Sequence, residues 1–188
     1  MILEVVKFGD PILRQKGDRI TSVTPAIKSL ISDMFETMYA SKGVGLAAQQ
    51  VGIALQLTVI DVRGINDRPS TLELDGKPAD VLEFMPLVLI NPKITPVGDL
   101  VKGPEGCLSF PEIYADITRP DVVDVSALNG EGKPISFRCG GLLARAVQHE
   151  TDHLNGVLFI DRMDRKTKDE MRDELDWLQA ETKKTLKK

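Results

Sequence analysis

The sequence predicts an α+β protein, in which antiparallel β-sheets pack around a central helix that carries the motif HExxH. Helical periodicity occurs near both ends of the chain and around that motif, whereas the middle holds short runs rich in β-branched residues. One further helix is expected before the sheets and one after them. The chain has 188 residues, of which 42% are hydrophobic and 28% charged, so it can bury the core of an ordinary domain.

The first predicted helix spans Pro25 to Lys42. Thr24 is a suitable N-cap, and proline is favoured at the first helical position. Gly43 stands where a helix often ends in a C-cap glycine. The apolar residues that follow helical spacing and should form the buried face are Ile27, Leu30, Ile31, Met34, Phe35 and Met38.

The middle of the chain predicts strands. Leu55 to Val62 and Val81 to Ile90 are apolar, although a proline interrupts the second run. The run Val122 to Leu128 and the run Pro134 to Arg138 flank a turn-forming segment and predict a hairpin. Between the first two runs, Gly64 to Asp80 is polar and predicts an exposed loop, with a small hairpin turning at an Asp-Gly pair.

The C-terminal segment predicts a charged helix from Asp164 to Thr185. Its apolar stripe is narrow, and the segment ends in several lysines. We therefore divide the chain into a single catalytic domain at residues 1–165 and a charged helix and tail at residues 166–188. The lysines that end this tail are Lys183, Lys184, Lys187 and Lys188.

Composition argues against several classes of protein. The net charge of −4 leaves no broad basic surface, which argues against a DNA-binding role. No apolar run approaches the roughly 20 residues of a membrane span. The first residues lack the pattern of a secretory signal, so a cytoplasmic location is expected. Two cysteines are too few for a disulfide framework.

The second predicted helix, Gly141 to Leu154, contains the only two histidines of the chain. His149 and His153 lie four residues apart, so both imidazoles can bind one metal ion from one helix face. Glu150 lies between them and can reach a water molecule on that metal as a general base. An ordinary helix could carry these residues by chance, but both histidines fall on its apolar side.

A third metal ligand can be sought at three places. Phe159 occupies the position where some HExxH sites have a third histidine. Glu170 and Glu174 lie in the charged helix, where a solvated face is the simpler interpretation. Cys107 lies between glycine and proline residues that let the backbone approach a metal, and Cys139 could compete with it. Either cysteine could also be a small buried apolar residue.

Three motifs, in order along the chain, resemble those of the peptide deformylases. Gly43 to Gln50 resembles GxGLAAxQ, Glu105 to Ser109 matches EGCLS, and Gln148 to Leu154 resembles QHExDHL. The resemblance covers roughly residues 1–165. It implies an enzyme that removes the N-formyl group from the N-terminal formylmethionine of newly synthesised proteins and releases formate.

The resemblance also implies a metal centre. Cys107, His149 and His153 would bind one divalent ion, most often Fe2+, with Zn2+, Ni2+ or Co2+ able to replace it. A water molecule activated by the metal would attack the formyl carbon, and Glu150 would act as general base and then as general acid.

The remaining site residues follow from the same resemblance. The side-chain amide of Gln50 and the backbone N–H of Leu108 would stabilise the oxyanion. Gly45 would let an extended peptide pair with its backbone, although Gly43 could simply cap its helix. Val44, with Leu108 and Ala146, would line the pocket for the methionine side chain.

Other residues in or beside the three motifs are expected to have supporting or structural roles. Glu105 should orient a group near the metal, Arg145 should be a solvated charge, and Gln148 should be structural because it points away from the histidines. Relative to shorter members of the family, Gly64 to Asp80 looks like an insertion that could border the substrate cleft. Tyr114 stands where some members have an arginine.

Two other functions compete with deformylation. A metallopeptidase would cleave ordinary peptide bonds, and a closed structural metal site would use Cys139 as its fourth ligand. The expected partners are N-formylmethionyl peptides of nascent chains. A weak contact between the lysine-rich tail and the ribosome is also possible, since lysine-rich segments bind phosphate backbones.

Overall fold

A computed structural model describes all 188 residues and has two antiparallel sheets and four helices. The α+β prediction is confirmed. Strands β1 to β9 in chain order are Gly45–Ala47, Leu57–Ile60, Ser70–Leu74, Lys77–Pro78, Leu87–Pro96, Leu100–Cys107, Phe110–Pro120, Val122–Leu128 and Pro134–Gly140. Helices α1 to α4 are Pro25–Ala40, Val81–Phe84, Gly141–Leu154 and Arg165–Leu186. None of the helices is both long enough and apolar enough to cross a membrane.

The helix α3 lies at the centre of the fold, where it contacts strands of both sheets. The larger sheet has seven strands in the order β1-β2-β5-β8-β9-β3-β4, and β6 pairs with β7 in a separate two-stranded sheet. Leu143 and Val147 of α3 are fully buried against the larger sheet. This packing fixes the helix that carries both histidines.

The first helix is two residues shorter than predicted and ends at Ala40. The N–H of Lys42 donates to the carbonyl of Tyr39 at 3.1 Å, and the N–H of Gly43 donates to that of Met38 at 3.0 Å. These two bonds form a Schellman motif, in which Lys42 adopts the left-handed conformation with φ 57°. The prediction that Gly43 is the left-handed cap is therefore wrong.

The predicted strand from Val81 to Ile90 is wrong in its first half. Val81–Phe84 forms a short helix, because the Asp80 side chain accepts a hydrogen bond from the N–H of Leu82 at 2.9 Å and caps it. The strand begins only at Leu87, after a proline that has no N–H to donate to a sheet.

The predicted hairpin within the polar insertion is confirmed. β3 and β4 pair across Asp75 and Gly76, which have φ of 52° and 75°, as a tight two-residue turn requires. β3 also pairs with β9, where Leu72 lies opposite Cys139. Residues 70–78 of this segment thus form two further strands of the larger sheet and are not a free loop.

The hairpin of β6 and β7 was not predicted. Its first strand contains Gly103, Pro104 and Gly106. Glycine and proline are typical of turns and rare in strands, so the sequence of β6 does not show the apolar alternation of a strand. The register shifts between Gly106 and Cys107, at the end of β6. Cys107 therefore lies at an irregularity of the hairpin, directly before its turn.

The helix α4 packs its narrow apolar stripe against the hairpin. Leu175 and Leu178 are buried with Phe110 and Phe159, whereas Trp177 is 65% exposed. The Asp164 side chain accepts a hydrogen bond from Thr167 and caps the helix. The division of the chain after residue 165 stays a prediction.

Candidate active site

The structure brings the three predicted metal ligands together. Cys107 ends β6, while His149 and His153 project from α3, and the ligand atoms of all three lie within 4.8 Å of one another. Cys107 Sγ lies 3.4 Å from His153 Nε2. One sulfur and two imidazole nitrogens are a donor set that suits zinc, iron or cobalt.

The electrostatics of this cluster fit a divalent cation. Burial lowers the pKa of His153 well below its ordinary value, which keeps this imidazole neutral and able to coordinate. Burial acts on His149 in the same direction, but hydrogen bonds with Cys107 and Glu105 outweigh it and raise the pKa of His149. The pKa values of the two histidines thus move in opposite directions, and His153 is the one that burial keeps neutral.

Glu105 fixes the orientation of His149. The His149 Nδ1 lies 2.9 Å from Glu105 Oε1, which leaves Nε2 for the metal. Arg119 donates to both oxygens of Glu105, at 2.6 and 3.0 Å, and also to Asp152 at 2.9 Å. Burial opposes ionisation of Glu105, but the hydrogen bonds from His149 and Arg119 prevail and lower its pKa to about 2. This geometry agrees with the expectation that Glu105 orients a neighbouring group.

Arg145 is not the solvated charge that the helix pattern predicts. Its side chain is only 11% exposed, and it donates to Ile117 O at 2.7 Å and to Val101 O at 2.9 Å. The unpredicted hairpin of β6 and β7 covers this face of α3, which explains the error. Gln148 is structural as predicted, since it donates to Pro120 O at 2.8 Å.

Glu150 is buried beside the cluster and lines the adjoining cleft. Its Oε1 lies 4.0 Å from His149 Nε2, and its Oε2 has no hydrogen-bond partner. Burial disfavours the charged form and raises the pKa of Glu150 to about 7. A carboxylate with this pKa can both accept and return a proton near neutral pH.

Gly45 makes room for Glu150. A Cβ atom at Gly45 would lie 2.7 Å from Glu150 Oε1 and 2.9 Å from its Cγ, closer than real contacts allow. A Cβ at Gly43 would similarly lie 2.8 Å from Leu108 Cδ1. Sequence reasoning missed this use of both glycines, because no sequence pattern shows that residues so far apart meet.

Gln50 and Leu108 lie where oxyanion donors could act. Gln50 Nε2 is 3.6 Å from Cys107 Sγ and 3.1 Å from Ser109 Oγ, while its Oε1 accepts from the N–H of Ala47 at 3.0 Å. This second bond holds the amide with its nitrogen toward Cys107. Leu108 lies in the turn between β6 and β7, and its N–H donates no hydrogen bond within the chain.

A cleft of about 560 Å³ opens onto Glu150, Cys107 and His149. Its volume suits a short peptide segment. The residues that the sequence assigns to substrate binding or to the oxyanion all line it: Gly43, Val44, Gly45, Gln50, Leu108 and Ala146.

Comparison with known proteins identifies the family. The family model described as polypeptide deformylase matches residues 2–169. The chain belongs to the peptide deformylase family. A peptide deformylase of Opitutus terrae is 47% identical over 170 residues, which cover 89% of this chain and 88% of that protein. One of Methylacidiphilum infernorum is 49% identical over 176 residues, which cover 94% and 92% respectively.

Solved structures of peptide deformylases share the fold. The Synechococcus elongatus enzyme in complex with actinonin is 43% identical and has a TM-score of 0.77, covering 93% of this chain and 86% of that one. Arabidopsis thaliana peptide deformylase 1B in complex with an inhibitor is 40% identical with a TM-score of 0.83, covering 97% and 93%. The predicted membership of a family of metal-dependent hydrolases is thereby confirmed.

The other proposed ligands lie apart from the site. Cys139 is buried in the core of the larger sheet, where burial raises the pKa of its thiol to about 12. Phe159 packs its ring 5.9 Å from that of His149 and offers no ligand atom. Glu170 and Glu174 are exposed on α4 and are not among the clustered ligand residues. The structure thus contradicts a closed metal site that uses Cys139.

Replacement of Cys139 by alanine is expected to leave the metal content of the protein unchanged. The substitution removes a buried sulfur and should lower the free energy of unfolding by about 1 kcal/mol. Cys107→Ala, the matched substitution of the other cysteine, should abolish stoichiometric metal binding. Metal analysis of both purified variants checks the pair, and metal loss from Cys139→Ala would contradict the assignment.

Gly45→Ala is expected to lower kcat for deformylation roughly tenfold, because the added methyl group must displace the Glu150 carboxylate by a fraction of an ångström. Steady-state kinetics checks this. Gly64→Ala is the control, since a Cβ at Gly64 would meet nothing within 4 Å. Equal kcat values for the two variants would show that the close approach of Gly45 and Glu150 has no catalytic consequence.

Proposed function

We propose that this chain removes the N-formyl group from the N-terminal formylmethionine of newly synthesised proteins and releases formate. The observation that carries the proposal is that one cleft contains Glu150, whose buried Oε2 has no hydrogen-bond partner, together with Cys107 and His149, two of the three clustered ligand residues. Membership of the peptide deformylase family supports the same reaction. The substrates are N-formylmethionyl peptides of nascent chains.

We propose Cys107, His149 and His153 as the protein ligands of one divalent ion, with Fe2+ as the native metal. Zn2+, Ni2+ or Co2+ would suit the same sulfur and nitrogen donors. When bound, such an ion lowers the pKa of water toward neutrality and polarises a carbonyl oxygen. Glu105 supports this centre by holding His149 in one orientation.

Glu150 is proposed to move the protons of the reaction. Its carboxylate accepts a proton from the attacking water as the new C–O bond forms at the formyl carbon. It then donates that proton to the nitrogen of the methionine as the C–N bond breaks. The buried position of Glu150 and its pKa of about 7 suit both steps.

Gln50 and Leu108 are proposed to stabilise the negative charge that develops on the formyl oxygen. The Gln50 amide is held with its nitrogen toward Cys107, and the Leu108 N–H is free to donate. Such preorganised donors act without reorganisation, and removal of one typically costs about 10²–10³-fold in rate.

The walls of the cleft are proposed to bind the peptide and select its first residue. Gly43 and Gly45 leave room for the side chains of Leu108 and Glu150, and backbone pairing at Gly45 would hold the peptide extended. Val44 and Ala146, with Leu108, would enclose the methionine side chain. Because formyl is the smallest acyl group, a narrow site can exclude acetyl and peptidyl groups by shape.

The proposed reaction is tested by formate release from formyl-Met-Ala-Ser, with acetyl-Met-Ala-Ser and unmodified Met-Ala-Ser in parallel. Deformylation predicts formate from the first peptide and intact second and third peptides. Cleavage at a peptide bond in any of them would favour the metallopeptidase alternative. No reaction by protein shown to contain one metal ion per chain would overturn the proposal.

We also propose a cytoplasmic location and a weak contact between the lysine-rich tail and the ribosome. Four of the last six residues are lysines, and Lys184 pairs with Glu181 at 3.1 Å. Such a contact should weaken steeply as salt increases. Co-sedimentation with ribosomes, with and without residues 183–188, tests it, and unchanged co-sedimentation of the truncated chain would contradict it.

A further inference from the structure

We infer that Arg68 is a specificity-determining residue, which binds a carboxylate side chain of the peptide on the C-terminal side of its formylmethionine. The inference extends the proposed function and rests on it. Arg68 belongs to the loop that leads into β3, within Gly64 to Asp80, the stretch that the family resemblance predicts to be an insertion. Its side chain lines the same cleft as Gly45 and Glu150.

Arg68 is held in place from both sides. Its Nη2 donates to Pro104 O on β6 at 3.1 Å, so the guanidinium spans from the insertion to the other wall of the cleft. The next residue, Pro69, accepts a hydrogen bond from the N–H of Leu142 at 3.0 Å. Ser70 Oγ accepts one from the N–H of Leu143, also at 3.0 Å.

These last two bonds cap the N-terminus of α3, whose unpaired N–H groups need acceptors. The same helix carries His149 and Glu150 two turns later. The insertion therefore fixes the backbone beside Arg68 relative to the reacting groups. A cation fixed in this way can select a substrate with little loss of conformational entropy on binding.

The charge of Arg68 has no partner within the chain. Its only hydrogen bond goes to a neutral carbonyl, and no carboxylate lies within ion-pair distance of it. The cleft residue Arg145, in contrast, is paired with Glu105 at 2.8 Å. Lys7 is also partly buried and donates only to the carbonyl of Val5, at 2.7 Å, while Lys42 is exposed just beyond the end of α1. Arg68 is thus the partly buried guanidinium of the cleft that has no carboxylate partner and can still bind an anionic group.

The chemistry of the substrate limits where that anion can be. The formamide group and the thioether of formylmethionine carry no charge, so a carboxylate must come from a later residue. A guanidinium offers several N–H donors in a fixed plane, which match the two oxygens of a carboxylate. The remaining Arg68 donors therefore favour Asp or Glu shortly after the methionine.

The experiment compares pairs of C-terminally amidated peptides that differ only in charge: formyl-Met-Glu-Ala-amide against formyl-Met-Gln-Ala-amide, and formyl-Met-Ala-Glu-amide against formyl-Met-Ala-Gln-amide. Amidation removes the terminal carboxylate, which Arg68 could otherwise bind. For at least one pair we expect KM of the Glu peptide to be about two- to fivefold lower, the range of a solvent-accessible ion pair, with similar kcat.

The variants identify the group responsible. Arg68→Gln should bring the two KM values of the pair together, and Arg68→Lys should keep part of the difference. Lys77→Gln is the matched control, because it removes one positive charge from the exposed strand β4 of the same insertion, outside the cleft. Lys7→Gln and Lys42→Gln test the two other cleft cations that lack a carboxylate partner.

Equal KM values in wild-type protein, or a difference that survives in Arg68→Gln, would overturn the inference. Loss of the difference in Lys7→Gln or in Lys42→Gln, but not in Arg68→Gln, would overturn it as well and assign the role to that lysine. These outcomes leave the proposed function standing, since formate is still released. Failure of wild-type, metal-containing protein to release formate from any of the peptides would overturn both.

Discussion

Glu150→Gln is expected to reduce kcat for formate release by about 10²–10⁴-fold while the protein keeps its metal. Glutamine has nearly the same shape as glutamate and fits the space that Gly45 leaves, but its amide cannot accept the proton of the attacking water. The metal should remain, because its proposed ligands are Cys107, His149 and His153. Steady-state kinetics and metal analysis on the same sample measure both quantities.

The control for this substitution is Glu170→Gln. Glu170 is an exposed carboxylate on α4 and lies outside the cleft, so the same change in charge should leave kcat unaltered. A Glu150→Gln variant with metal and at least a tenth of wild-type kcat would contradict the role of Glu150 in proton transfer. A variant without metal would show instead that Glu150 helps to hold the ion.

Glu105→Gln is expected to weaken metal affinity about 10–100-fold, because it removes the charged partner that orients His149. It should also lower the free energy of unfolding by up to about 3 kcal/mol, since Arg119 would lose the charge that balances it in the interior. The side chains of Glu105 and Arg119 are each only 4% exposed. Competition with a metal-binding dye measures the affinity, and denaturant titration measures the stability.

An exposed arginine–carboxylate pair provides the comparison. Arg138 donates to Asp124 at 2.7 Å, but both side chains are 45% exposed. Asp124→Asn should therefore cost less than about 1 kcal/mol and leave metal affinity unchanged. If Glu105→Gln changed stability and metal affinity no more than Asp124→Asn does, Glu105 would not support the centre as we describe.

The clustered residues that we propose as metal ligands could be predicted from sequence because each lies in a short, recognisable motif. The bounds of α3, Gly141–Leu154, agree with the prediction, since its apolar spacing and two histidines lie in one short segment. Cys107 was found by its motif, and the structure brings it to His153. Glu105 belongs to the same motif as Cys107, so its role in orienting a neighbouring group could also be predicted.

The surroundings of these ligands could not be predicted, because they depend on contacts between distant segments. Glycine and proline residues concealed β6, so the burial of Arg145 beneath the hairpin was missed. The contact of Gly45 with Glu150 and the bridge from Arg68 to Pro104 likewise appear only in three dimensions. Local sequence patterns do not show which distant residues contact one another.

The most direct test of the whole account follows the oxygen atom of the attacking water. Metal-containing protein is incubated with formyl-Met-Ala-Ser in water enriched in the heavy oxygen isotope, and the products are analysed by mass spectrometry. We expect heavy oxygen in the formate and none in the Met-Ala-Ser that remains. Heavy oxygen in a carboxylate of a shortened peptide, or formate without the label, would contradict hydrolysis of the formyl group at this site.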